Sequence, residues 1–138
     1  MILNLTQHPA TPEQLAAGVV DITGPARTKL IELLVFRSAP SRSELGHRAT
    51  LLAKLASSEV ANRLDKDSNA MAYGTQVMIG GASYLMPPLQ ARLLDLGLFA
   101  IYSFTERVSE EEMIGDTVVK TSKFKHVAFV DPDGQHTA

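Results

Sequence analysis

The stretch ILNLTQHPATPEQL, residues 2–15, passes from a short apolar run through one loop into the start of a helix. The apolar run at residues 2–6 predicts a buried strand. Thr11 and Gln14 have the spacing of a capping box, and Pro12 suits the first helical position. A strand that leads directly into a helix is how an alternating α/β fold begins.

The rest of the chain continues this alternation of strands and helices. Further strands are predicted at three places: residues 19–22, residue 75 to the glycine pair at 80–81, and residues 98–104. Further helices are predicted at three places: residues 26–36, 41–64 and 87–97. Residues 65–69 are predicted to form a polar connector. A Gly-Asp turn at 115–116 separates two extended arms, the second of which ends at residues 126–130.

This order of elements predicts a mostly parallel sheet with helices on both faces. The predicted fold class is a small Rossmann-like three-layer α/β domain over residues 1–130, with an antiparallel hairpin at its C-terminal edge. Residues 131–138 are predicted to be a flexible tail. Because the middle of the chain is so helical, an α+β arrangement stays open as the alternative.

The composition argues against several classes of function. The chain has 138 residues and a formal charge of −2, from 13 basic and 15 acidic residues. Broad binding of DNA or RNA is not expected, because it needs many phosphate contacts from a basic surface. Without cysteine there is no disulfide and no thiolate nucleophile. The sequence has no secretory signal pattern and no apolar run of about 20 residues, so we expect a cytoplasmic protein that does not enter membranes.

Three predicted strands are followed by small or polar residues. These segments are TQHPAT at 6–11, GGAS at 80–83 and SFTERVS at 103–109. Ligands of open α/β sheets bind beyond the carboxyl ends of the strands, so we expect the segments to meet at one rim and bind a nucleotide-like anion. Small residues and helix-start amides suit such a ligand, although a tight turn alone also requires glycine. The candidate ligand-binding residues are Thr6, Gln7, Thr11, Gly80, Gly81, Ser83, Ser103 and Arg107.

Two residues, His8 and Lys123, are candidates for catalysis. The His8 imidazole can donate to a phosphate or exchange a proton near neutral pH, or it packs in its loop without a function. Lys123 and Lys125 share one face of the last arm, as a basic surface for an anion or as a guard against edge-to-edge aggregation. His126 is predicted to be structural or partly exposed, and His47 to be solvated. No pair of histidines has metal-ligand spacing, so neither a metal nor a cofactor is predicted.

If the ligand is cleaved, the scheme that asks least of the protein uses the 2′-hydroxyl of the ligand as the nucleophile. The protein then has only to hold the attack in line and to stabilise the charge that develops. This scheme requires no metal and no covalent enzyme intermediate. His8, Ser83, Arg107 and Lys123 are residue types that suit this work.

The run LNLTQHPATPEQ, residues 3–14, resembles the start of some small CRISPR-associated proteins, which are Rossmann-type relatives of the ring nucleases. Ring nucleases bind and linearise cyclic oligoadenylate signals as dimers. The matching residues are Asn4, Thr6, His8, Pro9, Thr11, Pro12, Glu13 and Gln14. The resemblance implies a homodimer and a cyclic-nucleotide-like ligand. It transfers no catalytic motif, and the long helical stretch at 25–64 and the turn GGASYLMPP depart from that group.

Two functions therefore stay open. The first is a small enzyme or sensor that acts on a nucleotide-like signal, with metal-independent phosphodiester cleavage as its reaction. The second is a non-catalytic interaction protein, such as an accessory of a mobile element or a defence system, in which His8 and the glycine pair only shape the fold. A nicotinamide or flavin enzyme is disfavoured, because the first strand–helix turn lacks the glycines of a dinucleotide site.

Overall fold

The computed structural model describes residues 1–64 and 73–132 of the chain. Its strands are β1 (Ile2–Asn4), β2 (Val19–Asp21), β3 (Gln76–Met78), β4 (Phe99–Ile114) and β5 (Thr117–Val130). They form one sheet in the order β2-β1-β3-β4-β5, in which the first four strands are parallel and β5 is antiparallel to β4. The predicted mostly parallel sheet with an antiparallel C-terminal hairpin is confirmed.

The helices of the described residues are α1 (Pro12–Ala16), α2 (Gly24–Leu34), α3 (Arg42–Leu64) and α4 (Met86–Asp95). None of them combines the length and the apolar character needed to cross a membrane. α1 begins as predicted, because Thr11 and Gln14 each accept the backbone N–H of the other through their side chains. The predicted connector at 65–69 and residues 133–138 of the predicted tail lie outside the described residues.

The first strand is shorter than predicted. β1 ends at Asn4 instead of residue 6. The Asn4 Oδ1 atom accepts both the backbone N–H of Thr6, at 3.0 Å, and its hydroxyl, at 2.7 Å. A side chain that bonds the backbone two residues further on turns the chain out of a strand. The polar loop after β1 therefore begins directly at the edge of the sheet.

The second helix begins and ends two residues earlier than predicted, at 24–34 instead of 26–36. Pro25 lies in its first turn, where the fixed φ of proline suits a helix start. At the other end the Arg48 guanidinium donates to the carbonyl of Val35 at 2.6 Å, and Val35 is extended. The start and the end of α2 are thus both fixed by contacts that apolar periodicity does not reveal.

The C-terminal hairpin is much longer than predicted. β4 continues past residue 104 to Ile114, because from Tyr102 onward it pairs with β5 as far as the turn at 115–116. Most side chains at residues 105–125, here called the hairpin arm, are exposed. The arm thus extends beyond the part of the sheet that carries the core.

Side chains alternate across the short parallel strands, so that the sheet has two apolar faces. One face, with Leu3, Val77 and Ala100, packs against α2, α3 and α4 in the larger core cluster. The smaller cluster on the other face consists of Ile2, Val19, Met78 and Ile101, with Ala10 and Phe129 packed against it. The base of β5 and the loop after β1 thus help to cover the second face.

The chain leaves β1 and β3 in opposite directions. β1 connects through α1 to β2 on one side, whereas β3 connects through α4 to β4 on the other side. The loops after β1 and β3 therefore diverge at the carboxyl edge of the sheet. Such a topological switch point leaves a crevice in which open α/β sheets bind their ligands.

Candidate functional site

A cleft of about 360 Å³ opens between the loops that follow β1 and β3, and we call it the switch-point cleft. Its walls are formed by Thr6, Gln7, His8, Pro9, Thr11, Gln14, Met78, Gly80, Gly81, Thr105, Phe124 and His126. His8 and the glycine pair thus share one cleft, together with a residue of the third predicted segment, Thr105. The structure brings together the three segments that the sequence predicted to meet.

The loop that carries His8 is held by a buried asparagine. Asn4, at 1 % exposure, donates from Nδ2 to Asp21 Oδ1 at 2.8 Å and to the carbonyl of His8 at 2.9 Å. Its Oδ1 atom accepts from Thr6, as described above. All the polar atoms of the Asn4 side chain are thus used to fix the backbone around His8. The His8 ring is exposed at the cleft, on a loop whose path is set.

Contacts from two other elements hold the same loop. The Asp21 carboxylate accepts the backbone N–H of Ala10 at 3.0 Å, and the Arg27 guanidinium donates to the carbonyl of Gln7 at 3.1 Å. The side chains of Gln7 and His8 lie beside each other, with 3.4 Å between Gln7 Nε2 and His8 Nε2. The loop is therefore positioned by contacts within the protein, as a preformed binding site requires.

The glycine pair supplies unpaired amide donors. In residues 1–64 and 73–132, the backbone N–H groups of Gly80 and Gly81 have no protein acceptor. Gly81 has a φ of +141°, a conformation that favours glycine. At Gly80 an added Cβ would lie 3.6 Å from Thr6 Cγ2, which is ordinary van der Waals contact. The fold therefore requires glycine at 81, whereas at 80 it leaves room for a methyl group.

A second histidine, His126, lines the cleft from the base of the hairpin arm. It is 7 % exposed, and its Nδ1 lies 2.5 Å from Ser103 Oγ. Gln14 Nε2 donates to the same hydroxyl at 3.2 Å, while Gln14 Oε1 accepts from Thr11. Ser103 Oγ accepts from Gln14 and keeps a second lone pair, so toward His126 Nδ1 it either donates its single proton or accepts one, according to the tautomer of the ring. In the tautomer in which Ser103 donates, the proton of the neutral ring is on Nε2.

A β-bulge places His126 on the cleft side of the hairpin. Thr105 pairs with His126 although its neighbour Phe104 pairs with Ala128, so Val127 is the extra residue on β5. Residues directly opposite in a sheet share a face, and the bulge therefore gives His126 the same face as Thr105. Alternation along β5 also places His126 on the face of Phe124, but it does not say that this face borders the cleft, so the sequence indicated only a structural or partly exposed histidine.

The remaining predicted site residues lie in three different places. Ser103 belongs to the hydrogen-bond chain behind His126, and Arg107 lies on the hairpin arm directly opposite Phe124. Ser83 lines a separate open groove of about 590 Å³ along α4, whose other walls are mostly apolar. Lys123 alternates with Phe124 and so lies on the opposite face of the arm, where its Nζ is 3.3 Å from Glu110 Oε2. The structure therefore does not bring Lys123 to His8.

The polar groups of the switch-point cleft are compatible with an anionic ligand. None of the described residues that line it is acidic. Its donors are the two glycine amides, two imidazoles and the side chains of Gln7 and Thr105, whereas the Thr6 hydroxyl donates to Asn4 Oδ1. No group of three or more histidine or carboxylate side chains with metal-site geometry occurs in the described ranges. Amide and imidazole donors around one cleft can hold a phosphate and stabilise charge that develops on it.

The fold and the cleft together define an α/β protein with a candidate ligand site at the switch point of a mixed sheet. Residues 1–130 match the model of one family, and the chain belongs to that family, the uncharacterized protein MJ1673 family. Comparison with curated proteins gave no match. Comparison with solved structures gave none either.

Proposed function

We propose that this protein binds a nucleotide-like anionic ligand in the switch-point cleft, with a cyclic oligonucleotide as the first candidate. One observation carries the proposal: the unpaired N–H groups of Gly80 and Gly81 share a cleft with His8 and His126, and no described residue lining that cleft is acidic. Free backbone amides attract phosphate, and no carboxylate among the described lining residues opposes it.

The place of the cleft in the fold supports the same proposal. It lies between the diverging loops after β1 and β3, where doubly wound sheets bind nucleotides. On this basis we also assign the fold to the Rossmann-like class. We also propose that the protein is cytoplasmic, as its sequence leads us to expect.

Binding is tested by calorimetry and thermal melting with inorganic phosphate, AMP, NAD and cyclic oligoadenylates. A ligand that binds only the folded state raises stability by about 2.7 kcal/mol at a concentration of 100 times Kd. We expect such a rise with the phosphate-bearing nucleotides. If none of these compounds raises the melting temperature, the proposal is wrong.

Gly80→Ala tests whether the glycine turn contacts the ligand. The fold accommodates the methyl group, but that group stands beside Thr6 at the cleft, where it keeps a phosphate away from the amides. We expect the affinity for phosphate-bearing ligands to fall about tenfold or more, which corresponds to roughly one charge-assisted hydrogen bond. Gly46→Ala is the matched control, because it lies on α3 with open space around it. If Gly80→Ala and Gly46→Ala bind the ligand with equal affinity, the glycine turn does not contact the ligand.

The proposed reaction is a metal-independent cleavage of a phosphodiester that has a neighbouring 2′-hydroxyl. His8 removes the proton of that hydroxyl, the O2′–P bond forms, and the P–O5′ bond breaks. Water on the opposite side of the phosphorus protonates the departing 5′-oxygen, and His8 returns its proton to solvent, which leaves a 2′,3′-cyclic phosphate and a 5′-hydroxyl. The Nε2–H group of His126 and the glycine amides stabilise the charge on the phosphoryl oxygens.

His8→Ala tests this assignment, since the exposed ring contributes little to the fold. Loss of a general base typically lowers turnover by about 10²–10⁴-fold, and we expect KM to change far less. Products are identified by mass spectrometry with and without a chelator. Lys125→Ala, on the other face of the arm, is the charge control and should keep full turnover. If His8→Ala keeps full turnover as well, His8 is not the base.

A second candidate function, a protein-interaction module, is favoured by the tip of the hairpin arm. Met113, Ile114 and Val118 are large apolar side chains that are 69 %, 62 % and 55 % exposed. The homodimer implied by the sequence resemblance would cover this tip. Light scattering of the native chain and of a Met113→Ser, Val118→Ser variant tests it. A native chain that is monomeric at high concentration would exclude the dimer.

A further inference from the structure

The hairpin arm presents an exposed aromatic ring to the switch-point cleft. Phe124 lines the cleft and is 73 % exposed, as much as any large apolar side chain of the described residues. Single exposed apolar residues are common on protein surfaces. This one, however, stands at the rim of a polar cleft whose other walls carry amide and imidazole donors. We infer that Phe124 is the platform for the base of a bound nucleotide, an inference that rests on the proposed function.

The strand register sets the spacing between this ring and the phosphate donors. Phe124 and His126 lie on one face of β5, two residues apart, which is a separation of roughly 7 Å along a strand. In a nucleotide the sugar separates the phosphate from the base. A phosphate beside His126 and the glycine amides therefore places a base at the height of Phe124.

Arg107 completes this rim. It is paired directly with Phe124 in the sheet, so both side chains project from the same face of the arm. Lys120 and Lys123 have ion-pair partners in Glu111 and Glu110, whereas Arg107 has none in the described part of the chain. A guanidinium is planar and stacks on aromatic rings, so Arg107 can contact the edge or face of a base that lies on Phe124.

The ligand class follows from these two groups. An aromatic face holds any base by stacking, and stacking depends little on base identity. The rim therefore selects nucleoside phosphates over sugar phosphates and free oxyanions.

Calorimetry with three probes tests the inference on the full chain. The probes are inorganic phosphate, ribose 5-phosphate and AMP, which differ by the sugar and then by the base. We expect AMP to bind about 10-fold or more tightly than ribose 5-phosphate, the effect of stacking one base. Phe124→Ala should reduce that ratio to about 2 or less, because it removes the stacking platform without changing the phosphate donors.

Two further variants separate stacking from general surface effects. Phe124→Tyr keeps an aromatic face and should keep the AMP preference. Phe104→Ala removes an exposed phenyl ring, 53 % exposed, from the opposite face of the same hairpin and should change nothing. If AMP and ribose 5-phosphate bind the native protein equally, the base platform is refuted while the phosphate site stands. An AMP preference that survives Phe124→Ala would also refute it. Failure of all three probes and of the cyclic oligoadenylates as well would refute the proposed function itself.

Discussion

The body of the protein, which carries the two core clusters, differs from the hairpin arm in the length and burial of its strands. Three strands of the body, β1, β2 and β3, are only three residues long each, yet they carry buried side chains. The strands of the hairpin are 16 and 14 residues long, and beyond Phe104 they are mostly exposed. In this molecule a longer strand therefore does not contribute more buried side chains to the core.

This difference shows where stability and chemistry come from. The body buries apolar side chains from both sides of its sheet, whereas a two-stranded ribbon alone has little stability in water. The switch-point cleft lies where the two regions meet, with His8 from the body and His126 from the base of the arm. The body therefore fixes the position of the site, and the arm adds groups that need no core of their own.

The largest effect that separates the two regions is expected from core truncation. Leu52 is fully buried on α3, and Leu52→Ala should lower the free energy of unfolding by about 3–5 kcal/mol. Val118→Ala on the arm should lower it by about 0.5 kcal/mol or less, because the side chain is half exposed. Urea unfolding of both variants measures the contrast. Comparable losses would mean that the arm is part of the cooperative core.

The next effect concerns the loop that joins body and site. Asn4→Ala leaves the Thr6 N–H and the Asp21 carboxylate short of their buried partners, and each unsatisfied group costs about 1–3 kcal/mol. We expect a loss of stability of about 2–3 kcal/mol in thermal unfolding, together with weaker ligand binding since His8 is no longer held. Thr6→Ser keeps a hydroxyl that donates to Asn4 Oδ1, so this variant should keep both the stability and the ligand affinity of the native chain. A stable Asn4→Ala variant with normal binding would show that the loop does not need this asparagine.

How far the sequence predicts the molecule also differs between body and arm. In the body, capping boxes, prolines and apolar runs predicted α1 and the parallel strands, because these signals are local. The convergence of His8 with Gly80 and Gly81 followed from the predicted sheet, in which the loops after parallel strands meet at one edge. The end of β1 was missed, since Asn4 forms a turn through its own side chain. Such a bond depends on where the buried asparagine lies in the fold.

In the arm the sequence was less informative. Alternation correctly placed Lys123 and Lys125 opposite Phe124, but it could not say which face looks onto the cleft. The bulge at Val127 decides that, and a bulge depends on how two distant segments pair. Sequence analysis therefore favoured Lys123 and predicted that His126 is structural or partly exposed. In the structure it is His126 and Phe124 that line the cleft.

The smallest effect sharpens the comparison between the two faces of the arm. Lys123 is exposed and pairs with Glu110 away from the cleft, so Lys123→Ala should change AMP affinity less than about twofold. Arg107→Ala removes the cation beside Phe124 on the cleft face and should weaken AMP binding by about fivefold. Calorimetry at low and high salt measures both, and the Arg107 effect should shrink with salt because exposed charges are screened. A larger loss from Lys123→Ala than from Arg107→Ala would mean that the ligand binds the opposite face of the arm, where the sequence alone had placed the basic surface.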